Sequence, residues 1–250
     1  MIRTVIYDLD DTLYDFHQAD KLAFAAMCRS CDERFGGGTE RFAEAFKPSY
    51  QAINEYMPED IKALMTDGVT VATCHSRTLR IAHMLEQMDL PLFPHVIELY
   101  DIYWNTILDN MEAAPHIHEV MQALKKKGLR IGIGSNMTSR IQYRKLDQLG
   151  LGPYLDFVTV SEESFFDKPD ARFFDRVLYK AGCKPEECLF VGDNYQFDYV
   201  GARASGMHAL WYVGKEKPWN HVDPEAREAA LKIRDHREIL KILEEGSFVS

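Results

Sequence analysis

Residues 116–135 read HIHEVMQALKKKGLRIGIGS, and the change of texture inside that stretch decides the fold. HIHEVMQALKKKG repeats apolar side chains at helical spacing and ends in Lys125-Lys126-Lys127 and Gly128, as a helix C-terminus does. LRIGIGS (129–135) is short and apolar throughout, as a strand buried on both faces must be. The same alternation continues downstream. A helix is predicted over 138–149, closed by Gly150, then a strand over 155–161 and a helix over 170–181. A strand at 188–193 (CLFVGD), a helix at 195–205, a strand at 207–213, a strand at 230–235 (ALKIRD) and a helix at 236–245 complete the pattern. Strands alternating with helices build βα units and a parallel sheet.

Upstream, RTVIYDL (3–9) has the same strand texture and belongs with that sheet. Residues 16–110 are helical in texture, with breaks at Gly36-Gly37-Gly38, at Pro58 and at Pro91 and Pro94 that predict three or four helices. The expected architecture is therefore α/β, a Rossmann-like parallel sheet core with helices on both faces, plus an inserted all-α cap domain. The core takes residues 1–14 and 111–250, the cap residues 15–110.

Composition narrows the class. The 250 residues are 46% hydrophobic and 27% charged, ordinary for a folded domain. With 29 basic and 39 acidic residues the net charge is −10, and no Lys/Arg-rich run offsets it. That balance argues against a nucleic acid polymer or an anionic membrane as partner, and leaves a small anionic molecule open. No signal peptide and no apolar run near the ~20 residues of a membrane span is visible. Cys28, Cys31, Cys74, Cys183 and Cys188 are odd in number and irregularly spaced. Cys28-Arg-Ser-Cys31 lies within a helical run without a second pair, so it reads as two free thiols rather than a zinc or redox motif. A reducing cytoplasm suits such a chain.

Ligands of open parallel sheets bind beyond the carboxyl ends of the strands. The residues leaving each strand are Asp8, Asp10 and Thr12, then Ser135 and Asn136, then Lys168, then Asp193 with Asp198 five residues later. Carboxylates, one hydroxyl and one ammonium are the groups that phosphoryl transfer needs. Mg²⁺ prefers oxygen ligands, and Asp8 and Asp10 from strand one with Asp193 from strand four could hold it, Asp198 being a further candidate. Lys168 and Ser135 would bind phosphoryl oxygens. Asp8 would be the nucleophile, and Asp10 the acid and then the base.

The order Asp8-x-Asp10-x-Thr12, Ser135 after an apolar strand, Lys168-Pro169, and Gly192-Asp193 with Asp198 resembles the four motifs of the haloacid dehalogenase superfamily of phosphohydrolases. The helical insertion resembles the α-helical cap of that superfamily's first subclass. The stretches TSRIQYRKLDQLGL and VSEESFFDKPD are similar to those of its nucleotidases and acylneuraminate phosphatases. The resemblance implies a Mg²⁺-dependent phosphatase of a small phosphorylated metabolite, with Asp10 reaching the ion through its main-chain carbonyl. A phosphomutase on the same scaffold is the alternative. A haloacid dehalogenase would not need Asp10, Asp193 and Asp198, and a non-catalytic binding protein would have lost some of the acids. Asp11, where the phosphatase pattern often has Gly, and Asp167, where a small or basic residue is common, depart from the family form.

Several residues carry plainer readings. Asp11 is expected to be a turn residue rather than a ligand, and Thr12 to orient its loop as well as approach substrate. Asn136 either touches substrate or caps the next helix. Asp198 either binds metal or orients Lys168 or Asp193, the second role being the expected one. His17 reads as packed or solvated, and Cys74-His75, adjacent on a helix, cannot converge on one metal. The lysines at 125–127 complement a helix dipole.

Overall fold

A computed structural model describes residues 1–55, 76–214, 222–246 and 248. The chain divides into two compact units, one made of Met1–Asp15 with Glu112–Ser250, the other of Phe16–Met111.

The helical unit contains, among the described residues, α1 (Phe16–Phe35), α2 (Thr39–Phe46), α3 (Ser49–Glu55), α4 (Arg77–Gln87) and α5 (His95–Asp109). Five helices replace the three or four expected, because Pro48 also ends a helix and Ser49 turns the chain by donating its hydroxyl to the Phe46 carbonyl at 2.6 Å. Pro58 and the Cys74-His75 pair lie outside the described residues. The long helices α1 and α5 pack along each other and bury Ala19, Ala23, Met27, Leu99, Tyr103 and Trp104. Cys28 and Cys31 are free thiols buried on α1, and burial pushes them up to about 11 and about 12, away from thiolate chemistry. His17 is half-buried in the first turn of α1. No helix among the described residues is long and apolar enough to cross a membrane.

The sheet unit holds β1 (Thr4–Tyr7), β2 (Arg130–Ser135), β3 (Phe157–Val160), β4 (Cys188–Gly192), β5 (His208–Tyr212) and β6 (Lys232–Ile233). The sheet is parallel, in the order β3-β2-β1-β4-β5-β6. β1 is central and buried along its whole length, with Thr4 opposite Arg130 on one side and Cys188 on the other. The α-helices of six residues or more are α6 (Ile117–Lys126), α7 (Ser139–Gln148), α8 (Ala171–Ala181), α9 (Pro224–Ala229) and α10 (Glu238–Glu245). Phe173, Phe174 and Val177 of α8 form one apolar cluster with Ile6, Phe190 and Trp211 of the sheet, while α6 packs on β2 and α10 on α6. Gly128 ends α6 with φ of +78°, a conformation that suits glycine. Lys125 and Lys127 are spent on ion pairs with Asp156 and Glu244 at 2.7 and 2.9 Å, rather than only on the helix dipole.

Two expectations change in detail. The strand at 230–235 shrinks to Lys232–Ile233, because the Arg234 and Asp235 amides donate to Glu238 Oε1 at 2.8 Å and turn the edge chain away. The helix at 195–205 opens with a π-helical turn, Tyr195–Val200, before Gly201–Ala204 becomes α-helical. After β3 the chain crosses the sheet and resumes at β4, so strand order reverses between β1 and β4. The crevice beyond those two strand ends is where such a sheet binds ligands.

Candidate active site

β1 and β4 release Asp8 and Asp193 side by side, and the Asp8 amide still donates to the Val191 carbonyl at 2.9 Å. The widened turn after β4 brings Asp198 back over Gly192, whose missing side chain makes room: a Cβ there would stand 2.3 Å from the Asp198 carboxyl carbon. Lys168 closes the group. Its ammonium donates to Asp8 Oδ1 and Asp198 Oδ1, both at 2.6 Å, and to the Gly134 carbonyl at 3.0 Å. Three donors meet three acceptors, so the lysine is fully used.

Thr12 ties the first and fourth strand ends together. Its hydroxyl lies 3.1 Å from both Asp8 Oδ2 and Asp193 Oδ1, donating to one at a time, and it accepts the Asp193 amide at 3.1 Å. Trp211 Nε1 fixes the Asp193 carbonyl at 2.7 Å. Asp11 sits at φ of +64°, so the position calls for a residue tolerant of left-handed backbone, which Asp is and Gly more so. His236, from the far end of the chain, stacks on Tyr212 and places Nε2 3.1 Å from the Thr12 carbonyl.

Electrostatics follow from burial. Burial pushes the Asp8 carboxyl up to about 6, with Lys168 opposing the rise and Asp198 and Asp10 adding to it. Asp198 is raised for the same reason, Lys168 again opposing, and Asp193 adds repulsion. Burial alone would lower Lys168, but Asp198 and Asp8 outweigh it and hold the ammonium above its ordinary value. Asp8, Asp193 and Asp198 are all buried, with one oxygen from each within 4.8 Å of the others. Three carboxylates surround one ammonium in a desolvated site, so acid exceeds base within the cluster, a deficit of positive charge. An all-oxygen donor set with that deficit fits a hard divalent cation.

The Asp10 carboxylate stands apart from these three. Lys145 Nζ is 2.6 Å from its Oδ1, Tyr14 donates its hydroxyl to the same oxygen, and Gln142 Nε2 donates to Oδ2 at 3.0 Å. Burial would raise Asp10, but Lys145 and these hydrogen bonds prevail and hold it below the ordinary carboxylate range. Gln142 Nε2 also donates to Ser135 Oγ at 2.8 Å. Asn136 does not cap α7: its Oδ1 accepts the Lys168 amide at 2.8 Å and its Nδ2 donates to the Lys168 carbonyl at 3.3 Å. It pins the loop that carries the lysine.

Asp8, Thr12, Lys168, Asp193 and Asp198 thus meet in one cluster, with Ser135 and Asp10 bridged to each other by Gln142. Sequence reasoning missed Tyr14, Gln142, Lys145 and Trp211. Two of them share one buried face of α7 with Ile141 and Leu146, but as polar residues on a helix they carry no sequence signal of burial.

The family model of the haloacid dehalogenase-like hydrolases matches residues 2–206. The chain is 31% identical to a ribulose-1,5-bisphosphate 5-phosphatase of Halopiger xanaduensis, covering 87% of each chain. It is also 31% identical to a glyceraldehyde 3-phosphate phosphatase of Methanothermobacter thermautotrophicus, covering 84% of this chain and 85% of that one. Among solved structures, a 2-haloacid dehalogenase from Pseudomonas syringae shares the fold with a TM-score of 0.75 at 22% identity, over 99% of this chain and 100% of that one.

Proposed function

We propose, from the premise that the chain belongs to the haloacid dehalogenase-like hydrolase family and is a hydrolase of phosphoric monoesters, that it dephosphorylates a small metabolite with Mg²⁺ through a phosphorylated Asp8. The observation that carries this reading is the buried cluster of Asp8, Asp193, Asp198 and Lys168 at the strand-order reversal. The substrate class is a sugar phosphate or a nucleoside monophosphate, the first supported by relatives that are sugar-phosphate phosphatases.

The carboxylates of Asp8, Asp193 and Asp198 would hold the ion, with the Asp10 main-chain carbonyl as a further ligand. When bound, Mg²⁺ offsets the repulsion between a carboxylate and the phosphoryl oxygens it approaches. Ser135 binds one of those oxygens, Lys168 binds another by exchanging one of its three present bonds for it, and Asn136 keeps Lys168 in place through its backbone. An oxygen of Asp8 then attacks phosphorus while the ester oxygen departs. Asp10, which takes up a proton against the pull of Lys145, gives it to that oxygen, and afterwards takes one from the water that attacks the phosphorylated Asp8. Thr12 keeps Asp8 and Asp193 aligned throughout. The helical unit is the cap that selects the metabolite. The free thiols Cys28, Cys31, Cys183 and Cys188 favour the cytoplasm as the compartment.

The purified protein, assayed against a panel of sugar phosphates and nucleoside monophosphates, is expected to release phosphate only with Mg²⁺ and to stop when the metal is chelated. Asp8→Asn is expected to lose activity by at least ~10³-fold. Metal-independent release, or an Asp8→Asn variant as fast as wild type, rejects the reading.

A further inference from the structure

α7 carries two polar side chains on the face where packing alone asks for leucine. Gln142 and Lys145 are both 0% exposed, beside the buried apolar Ile141 and Leu146. Residues three apart on a helix are neighbours, so the amide and the ammonium reach the same place. A lysine is almost never fully buried without a partner, and here the partner is Asp10. Burying such groups costs stability that an aliphatic pair would have spared. Their retention needs a use other than packing.

The bonding pattern supplies one. Gln142 Nε2 has two hydrogens and spends one on Asp10 Oδ2 at 3.0 Å and the other on Ser135 Oγ at 2.8 Å. The opposite amide orientation is closed, because Oε1 would then face a carboxylate. Oε1 instead remains buried without a partner among the described residues. The Ser135 hydroxyl accepts from Gln142, so its own single hydrogen must point elsewhere, which makes it a donor to an incoming anion. Lys145 and Tyr14 meanwhile hold Asp10 Oδ1 from the other side. One turn of α7 therefore sets both the acid/base carboxylate and the hydroxyl that meets the phosphoryl group.

We propose that Gln142 and Lys145 are positioning residues of the reaction: Lys145 fixes the Asp10 carboxylate against the ester oxygen's path, and Gln142 couples Asp10 to Ser135 and turns the serine hydroxyl into a phosphoryl donor. The proposal rests on the phosphatase reading above. It separates the two residues by chemistry. Misplacing Asp10 matters for a leaving alkoxide, which needs a proton, and hardly for a leaving nitrophenolate, which does not. Misorienting Ser135 weakens the hold on the phosphoryl group whatever the leaving group.

The test compares the alkyl phosphate that wild type hydrolyses fastest with p-nitrophenyl phosphate, in wild type, Lys145→Met and Gln142→Leu. For Lys145→Met, kcat on the alkyl ester is expected to fall by ~10²-fold with KM within about threefold of wild type. The same variant is expected to release the first equivalent of nitrophenol within about threefold of the wild-type rate, then turn over slowly, since the water-activation step also uses Asp10. Gln142→Leu is expected to slow both esters to a similar extent and to raise the inhibition constant of inorganic phosphate. Tyr14→Phe, which removes one bond to the same oxygen, gives a smaller loss of the Lys145 type and serves if Lys145→Met does not fold. Folded variants with kcat within about threefold of wild type on both esters overturn the proposal, as does a Lys145→Met loss in the rate of the first turnover that is equal on the two esters. A wild type that releases phosphate from no ester overturns the phosphatase reading, and this proposal with it.

Discussion

Asp8, Asp10 and Asp11 stand together in the sequence but part company in the fold. Asp8 joins Asp193, Asp198 and Lys168, whereas Asp10 turns its carboxylate to Lys145, Tyr14 and Gln142. Asp11 answers to its backbone, at the positive φ that explains why the family pattern often has glycine there. His236 shows the same economy from the other end of the chain: its ring is buried between Tyr212 and Tyr7, and its Nε2 meets the Thr12 carbonyl. Burial pushes that imidazole down to about 4, with the Thr12 contact and Asp235 opposing the fall. The folded protein therefore takes up this proton less readily than the unfolded chain. Stability from this group is whole above the ordinary histidine value of about 6.5 and is lost as pH falls from there towards 4, a loss of roughly 3 kcal/mol. Urea unfolding followed by tryptophan fluorescence at pH 7 and pH 4 is expected to show that much less acid sensitivity in His236→Asn than in wild type. Equal pH dependence in the two proteins would remove the role given to burial.

Among the elements, the strands were legible because a parallel strand buried on both faces has few solutions. TVIY, RIGIGS and CLFVG are apolar or small at nearly every position, and the glycines are those a neighbour requires. The π-helical turn was not legible, since YQFDYV offers the same side chains to a π turn as to an α turn. Gln142 and Lys145 were hidden for a related reason: a polar residue on an amphipathic helix reads as solvated until the partner across the sheet is known. Asn136 was readable as polar and local but not as the staple of Lys168, which lies 32 residues away. Gly192 tests the link between β4 and the turn after it. Asp198 is pinned by Lys168 and by the Asn194 amide, so it cannot yield to a methyl group placed 2.3 Å from its carboxyl carbon. Gly192→Ala is expected to destabilise by roughly 1–3 kcal/mol in urea unfolding and to shrink the rise in melting temperature produced by Mg²⁺. A wild-type midpoint with an unchanged Mg²⁺ response would mean that Asp198 is not held where its contacts put it.

At the scale of the whole molecule, a chain with a net charge of −10 presents to an anionic substrate a buried site whose own acids outnumber its lysine. The divalent cation of the proposed function would complete that charge balance, so the proposed metal and the proposed nucleophile are tested together. The members of the cluster lie at or beyond the carboxyl ends of β1, β3 and β4, and the fold gathers them although they are spread from residue 8 to residue 198. The most direct test is to trap the covalent state. Wild type mixed with Mg²⁺ and a radiolabelled phosphate ester that it hydrolyses, quenched in acid during turnover and digested, is expected to carry label on the peptide that contains Asp8. The label should be lost on treatment with hydroxylamine and be absent from Asp8→Asn. Label on another peptide, or turnover by wild type with no label retained at any quench time, would contradict the claim that Asp8 is the nucleophile.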